Sequence, residues 1–193
     1  MSEKKVYILL TDTGTLFTRM IKLYTNKSYN HASISFDEGL FKAYSFGRKT
    51  AKNPFSGGFV HEDLESELFK QAACAIYSCT VSDVELQAMR DYIRHIEEQK
   101  HLYRYNFLGL FAILFNKPLN RKNAFFCSQF VASVLKECDR LDVQKPLSLI
   151  TPHDLQTAGG FQLVYQGKFK QYHKQASIWK NTEIDNPIEI VTC

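Results

Sequence analysis

Cys127 and His31 are the two residues of this chain whose types and settings suit covalent chemistry. From Ala124 to Cys138, apolar residues recur at helical spacing, with Cys127, Phe130, Val131, Val134, Leu135 and Cys138 on one stripe. That predicts a helix with Cys127 in its first turn. A thiolate there is stabilised by unpaired backbone N–H groups and by the positive end of the helix dipole, so its pKa falls and it becomes a nucleophile near neutral pH. Such a nucleophile needs a base within hydrogen-bond reach. His31 opens a stretch in which Ala32, Ile34 and Phe36 face one way and His31, Ser33 and Ser35 the other. It is therefore expected at the entrance of a core strand, firmly held. Plainer roles compete: a cysteine on an apolar stripe is commonly packed core, the reading given to Cys74 and Cys138. A histidine at a strand edge is commonly a hydrogen-bonded turn residue. Spacing along the chain does not bring the two together.

The elements that must position this pair follow from periodicity. Val6 to Leu10 is a short, wholly apolar run and reads as a buried strand, broken by Thr11 to Gly14. Thr15 to Thr25 has helical spacing. His31 to Phe36 and Leu40 to Phe46 are expected to form a β-hairpin around a turn at Asp37, Glu38 and Gly39. Gly47 to Phe59, with Pro54 and Gly57-Gly58, reads as a long surface loop bordering a site. Cys74 to Thr80 is strand-like. Ser82 and Glu85 make a capping box before a helix that carries Met89, Tyr92, Ile93 and Ile96 on one face. Asn106 to Phe115 is apolar nearly all round, which predicts a buried helix or an exposed docking surface. Phe161 to Tyr172 suggests a second hairpin, and the tail has weak strand character interrupted at Asn186-Pro187.

Composition narrows the class. At 193 residues, with 45% hydrophobic and 23% charged residues, the chain is expected to form one globular domain over 1–193, with the tail from residue 174 peripheral. A formal charge of +4, spread along the chain, points to no polyanionic partner; no nucleic acid is expected. The most basic stretch, Lys168, Lys170, His173, Lys174 and Lys180 among Phe169, Tyr172 and Trp179, reads as a solvated face. His95, His101, His153 and His173 read as surface residues. The N-terminal apolar run is too short for a signal segment or a membrane span. Five cysteines without metal-type spacing are then expected as reduced thiols in a cytoplasmic protein, with no metal or cofactor.

The segment FFCSQFVASVL, Phe125 to Leu135, resembles the nucleophile helix of the NlpC-type cell-wall amidase superfamily. Asn30 to Gly47, NHASISFDEGLFKAYSFG, resembles its histidine strand and the strand after it. In ordinary members, as in papain, Cys precedes His. Here His comes first, the order of the circularly permuted branch, the YiiX-like proteins and the lecithin retinol acyltransferase group. YRYNFLGLF, Tyr103 to Phe111, and TPHDL, Thr151 to Leu155, are similar to further parts of the YiiX-like pattern.

The resemblance implies an α+β, permuted papain-like (NlpC-type) fold: a central, mainly antiparallel sheet packed by helices. It implies a thiolate on Cys127 attacking an acyl carbonyl, His31 as base, and an oxyanion held partly by the Cys127 backbone N–H. The family's orienting residue is polar and lies on the strand after the histidine strand. Here alignment lands on Ala43 or Lys42, neither of which suits that task. Ser45, the Tyr44 backbone or Glu62 are the replacements, with Glu62 preferred because a carboxylate also stabilises an imidazolium. Asp12 stands where the family often has a cleft-lining Gly-Asp and is a structural or substrate-contact candidate. Tyr105 and Ser128 are further substrate-contact candidates. The expected substrate is an amide in a peptide or muropeptide, with a polar groove bordered by residues 52–58, or alternatively a lipid acyl group reached through the apolar 106–115 segment. A non-catalytic binding protein that keeps the fold is the rival, motivated by the missing standard third residue.

Overall fold

A computed structural model describes residues 3–14, 27–48 and 57–185. The helix expected over Thr15 to Thr25, residues 49–56 of the loop expected after Gly47 with most of its groove border, and the tail beyond residue 185 lie outside the described residues.

Strand β1 (Lys4–Asp12) runs through the middle of a six-stranded antiparallel sheet. Its neighbours are β2 (His31–Ser35), then β3 (Ala43–Arg48) and β4 (Gly57–His61) on one side, and β5 (Ala73–Val81) and β8 (Gln162–Lys168) on the other. The unbroken apolar run Val6 to Leu10 is explained by cover on both faces of the sheet. Val6, Ile8 and Leu10 join one core with Ala32, Ile34, Phe46, Phe59 and residues of helices α2 (Asp83–Glu98) and α4 (Cys127–Lys136). Tyr7 and Leu9 join a second core with Phe69 of α1 (Glu67–Gln71) and with Phe169, Tyr172 and Ala176 of α6 (Phe169–Asp185). The molecule is thus a mixed α+β protein with helices on both sides of the sheet. Two short strands, β6 (Arg104–Tyr105) and β7 (Ala124–Phe125), pair in parallel and flank α3 (Phe107–Leu114); α5 (Pro152–Thr157) follows α4.

Helix α2 starts at the capping box read from the sequence: the Glu85 N–H donates to Ser82 Oγ, and the Ser82 N–H to Glu85 Oε2 at 2.8 Å. Met89, Ile93 and Ile96 are buried and Tyr92 packs against the same core.

Four expectations are corrected. Gly57 and Gly58 belong to strand β4 rather than to a loop, pairing with Arg48 and Gly47. A Cβ on Gly57 would come within 2.7 Å of Tyr105 Cβ, so the glycine signals close approach in a strand. The second hairpin is a strand followed by a helix. Phe169, Tyr172 and Ala176, spaced by three and four, all bury on the sheet and define that helix's inner face. Ala124 and Phe125 are strand, and the helix begins at Cys127. His173, taken for a surface residue, is only 15% exposed; it lies against Phe41 and Phe169 and within 3.1 Å of Glu65. No helix among the described residues is long and apolar enough to cross a membrane.

An aromatic cluster centred on Phe46 ties the histidine side of the sheet to the cysteine helix. Its ring lies 5.1 Å from Phe130, 5.2 Å from Phe125, 6.1 Å from Phe59 and 6.2 Å from Tyr103. Phe46→Ala should therefore cost about 3–5 kcal/mol, since it opens a cavity where β3, β4, β7 and α4 converge. Urea unfolding monitored by circular dichroism measures this, and a loss under about 1 kcal/mol contradicts the role given to the cluster.

Candidate active site

Cys127 is the first residue of α4, and its N-cap is the fully buried Phe126, whose side chain offers no capping acceptor. The N–H groups of the first turn, which have no partner inside a helix, are consequently not taken up by a cap. The Ser128 N–H donates to the Cys127 sulfur. A second backbone donor comes from the sheet. Strands β2 and β3 are bridged only at Ile34–Tyr44 and Ser35–Ala43, so they part toward His31. Ala32 faces that gap: its carbonyl accepts from Ser45 Oγ at 2.8 Å, and its N–H, which points the same way in a strand, donates to Cys127 Sγ.

The His31 ring spans the gap. Nε2 lies 2.5 Å from Glu62 Oε1, which leaves Nδ1 as the ring nitrogen for the thiol, and the ring hydrogen-bonds to Cys127. Phe69 lies against the imidazole, with ring centres 6.3 Å apart. Glu62 directly follows β4, and its N–H donates to the Ala43 carbonyl, so the ladder between β3 and β4 continues through it. Its carboxylate also accepts from Ser33 Oγ at 3.1 Å. The side chains of His31 and Glu62 are 17% and 10% exposed, and Cys127 is 4% exposed.

Burial shapes the charges here. It pulls the His31 imidazolium down, but the Glu62 carboxylate and the Cys127 thiolate outweigh it, so His31 titrates well above the ordinary histidine range. Burial pushes the Cys127 thiol up, but the His31 cation, its hydrogen bond and the two backbone N–H groups outweigh it, and the thiol titrates below its ordinary value. Both shifts favour the thiolate–imidazolium pair. At the other buried thiols burial wins: it outweighs a backbone hydrogen bond from Gly167 and pushes Cys74 up to about 12, and it outweighs the Arg140 charge and pushes Cys79 up to about 11.

Cys127, His31 and Glu62 are brought together; the other candidates are placed elsewhere. Ser45 is fully buried and committed to the Ala32 carbonyl, so it braces the histidine strand while Glu62 holds the ring. Ser128 is 1% exposed and donates to the Ile150 carbonyl at 2.7 Å. That corrects its reading as a substrate contact: its side chain pins the helix start. Asp12 accepts from Asn30 Nδ2 at 2.7 Å and from the Gly14 N–H at 3.3 Å, bracing the residue before His31. Tyr105 is half-buried beside Gly57 and pairs with Phe125, two residues before the cysteine. Ser33 is the participant that sequence reasoning passed over. The strand alternation that put it on the face of His31 was its available signal. The Ala32 N–H leaves no trace in residue type. Among the described residues, no group of three potential ligands could hold a metal ion.

No family model, curated protein or solved structure matches this chain.

The direction of the two shifts sets a reactivity test. Iodoacetamide should alkylate Cys127 at neutral pH while Cys74 and Cys79 stay unmodified. The Cys127 rate should hold level from pH 8 through neutrality and fall only as acid protonates a thiolate whose pKa is depressed. His31→Ala removes the cation and leaves a buried thiol, so its rate at pH 7 should drop by about tenfold or more. Peptide mass mapping over a pH series measures both, and a Cys127 rate no faster than that of Cys138 contradicts an activated sulfur.

Proposed function

We propose that this protein is a thiol-dependent acyl-transfer enzyme, a hydrolase or acyltransferase. The observation that carries the reading is the continuous contact from the Cys127 sulfur through the His31 ring to the Glu62 carboxylate at a helix N-terminus. In this reading the Cys127 thiolate attacks an acyl carbonyl, forming a C–S bond and an oxyanion. N–H groups of the first turn of α4, that of Cys127 among them, are suited to receive this charge. The His31 imidazolium gives its proton to the leaving nitrogen or oxygen as the bond to carbon breaks. Water or another acceptor then loses a proton to His31, attacks the thioester and releases the thiolate. Glu62 keeps the ring oriented and stabilises its cation throughout. A non-catalytic binding protein is the weaker reading, because its motive was an imidazole without an orienting partner and Glu62 supplies one.

The more specific reading is a circularly permuted papain-like domain of the NlpC type. It is supported by the histidine strand preceding the cysteine helix in the chain, by the antiparallel sheet, and by the packing of α4 on β2 and β3. An amide in a peptide or muropeptide is the simplest substrate. Transfer or hydrolysis of a lipid acyl group is the second reading, favoured by the exposure of Leu108, Phe111 and Phe115 around α3.

The test is acylation. Incubation with activated esters and with peptide amide donors should leave an acyl group on Cys127, seen by intact mass and peptide mapping. Cys127→Ala and His31→Ala should abolish the adduct, and Glu62→Gln should slow its formation by roughly 10²-fold or more. No adduct on the native chain, or equal acylation of all four proteins, defeats the proposal.

A further inference from the structure

Helix α3 lies outside the chain of contacts just described, and its exposure needs its own explanation. Its sequence, FLGLFAIL, has no charged or polar side chain, a composition that normally marks a buried helix. Yet Leu108 is 57% exposed, Phe111 38%, and Phe115 at the C-cap 71%. Their spacing of three and four puts them on one face. That face is rigidly presented. At the start, the buried Asn106 side chain accepts from the Gly109 N–H at 3.0 Å and donates to the Leu119 carbonyl at 3.3 Å. At the end, Asn116 takes a left-handed conformation (φ 50°), with its N–H on the Ile113 carbonyl and the Lys117 N–H on the Ala112 carbonyl, closing the last turn.

The chain segments on either side of the helix carry one sign of charge. Lys117, Arg121 and Lys122 are exposed in the segment that follows the helix, and Lys100 and Arg104 are exposed ahead of it. The chain has 20 acidic residues, and none falls between Glu98 and Glu137. An apolar ridge whose flanking segments carry only cationic charged side chains matches an anionic bilayer: aromatic and aliphatic side chains enter the acyl boundary while lysine and arginine remain at the phosphates. At 8 residues, α3 is far below the roughly 20 needed to span a bilayer, so it can only lie at the interface.

We propose that α3 seats this protein on an anionic membrane surface, with Leu108, Phe111 and Phe115 inserted and Lys117, Arg121 and Lys122 against lipid phosphates. Strand β6, which leads into α3, pairs with β7, and β7 ends two residues before Cys127. Docking therefore orients the cysteine end of α4 with respect to the lipid surface.

The full chain should co-sediment with vesicles of phosphatidylcholine and phosphatidylglycerol, and much less with phosphatidylcholine alone. The pair Phe111→Ser and Phe115→Ser should lower partitioning by about tenfold or more, and so, separately, should Lys117→Glu, Arg121→Glu and Lys122→Glu together. Thermal unfolding checks that both variants remain folded. High salt should weaken binding by the native chain. Cys127→Ser should bind as the native chain does, so a failure of the acyl-transfer reading leaves this result untouched. Absence of binding to the mixed vesicles overturns the proposal, as does binding indifferent to both sets of substitutions. Light scattering that shows a dimer broken by the Phe substitutions, with no vesicle binding, assigns the ridge to a second copy of the chain instead.

Discussion

Ionising the thiol of a residue that is 4% exposed is costly, and the arrangement around Cys127 makes sense as an answer to that cost. Solvent supplies little there, so the charge must be met by fixed groups. They come from three directions: the helix start through Ser128, the parted edge of the sheet through Ala32, and the His31 ring. The ring can hold its proton in a poorly solvated place only because Glu62 stands behind it. Removing any one of these leaves the others with an uncompensated buried charge, so sulfur, imidazole and carboxylate behave as one unit.

The fold is arranged to keep that unit in register. β1 is covered on both faces, which fixes the strand beside β2 against slippage, because a one-residue shift would exchange the contents of the two cores. The parting of β2 and β3 admits the start of α4, and Ser45 donates to the Ala32 carbonyl that the strand ladder leaves unpaired on that edge. Phe46 and its aromatic neighbours lock the helix over the same strands. Ser128, tied to Ile150, prevents the helix start from moving along its axis. Ser45, first considered as the orienting residue, and Ser128, first considered for contact with substrate, thus serve to hold the strand and the helix start that surround the Cys127 sulfur.

Several of these features are legible in residue order because they depend on neighbours. The α2 capping box joins residues three positions apart, and the burial of β1 is written in five consecutive apolar side chains. The placing of Cys127 at a helix start also follows from local periodicity. Where periodicity was misread, the cause was again local: at Phe169 to Ala176 a helical spacing follows a strand without a breaking residue, and at Gly57-Gly58 a glycine that accommodates Tyr105 resembles one of a loop.

The sequence by itself determined the types of the paired groups, the helix that presents the thiol and the strand that presents the imidazole, because each is set by interactions within a few residues. It narrowed the orienting group to a few side chains without deciding among them. Only the tertiary structure decided that Glu62, and not Ser45, meets His31, since that depends on β4 pairing with β3 and carrying Glu62 onto the face of β2 that holds His31 and Ser33. Only the tertiary structure put the Ala32 N–H on the sulfur, because backbone donors carry no mark in the sequence and acquire direction only when strands pair and part.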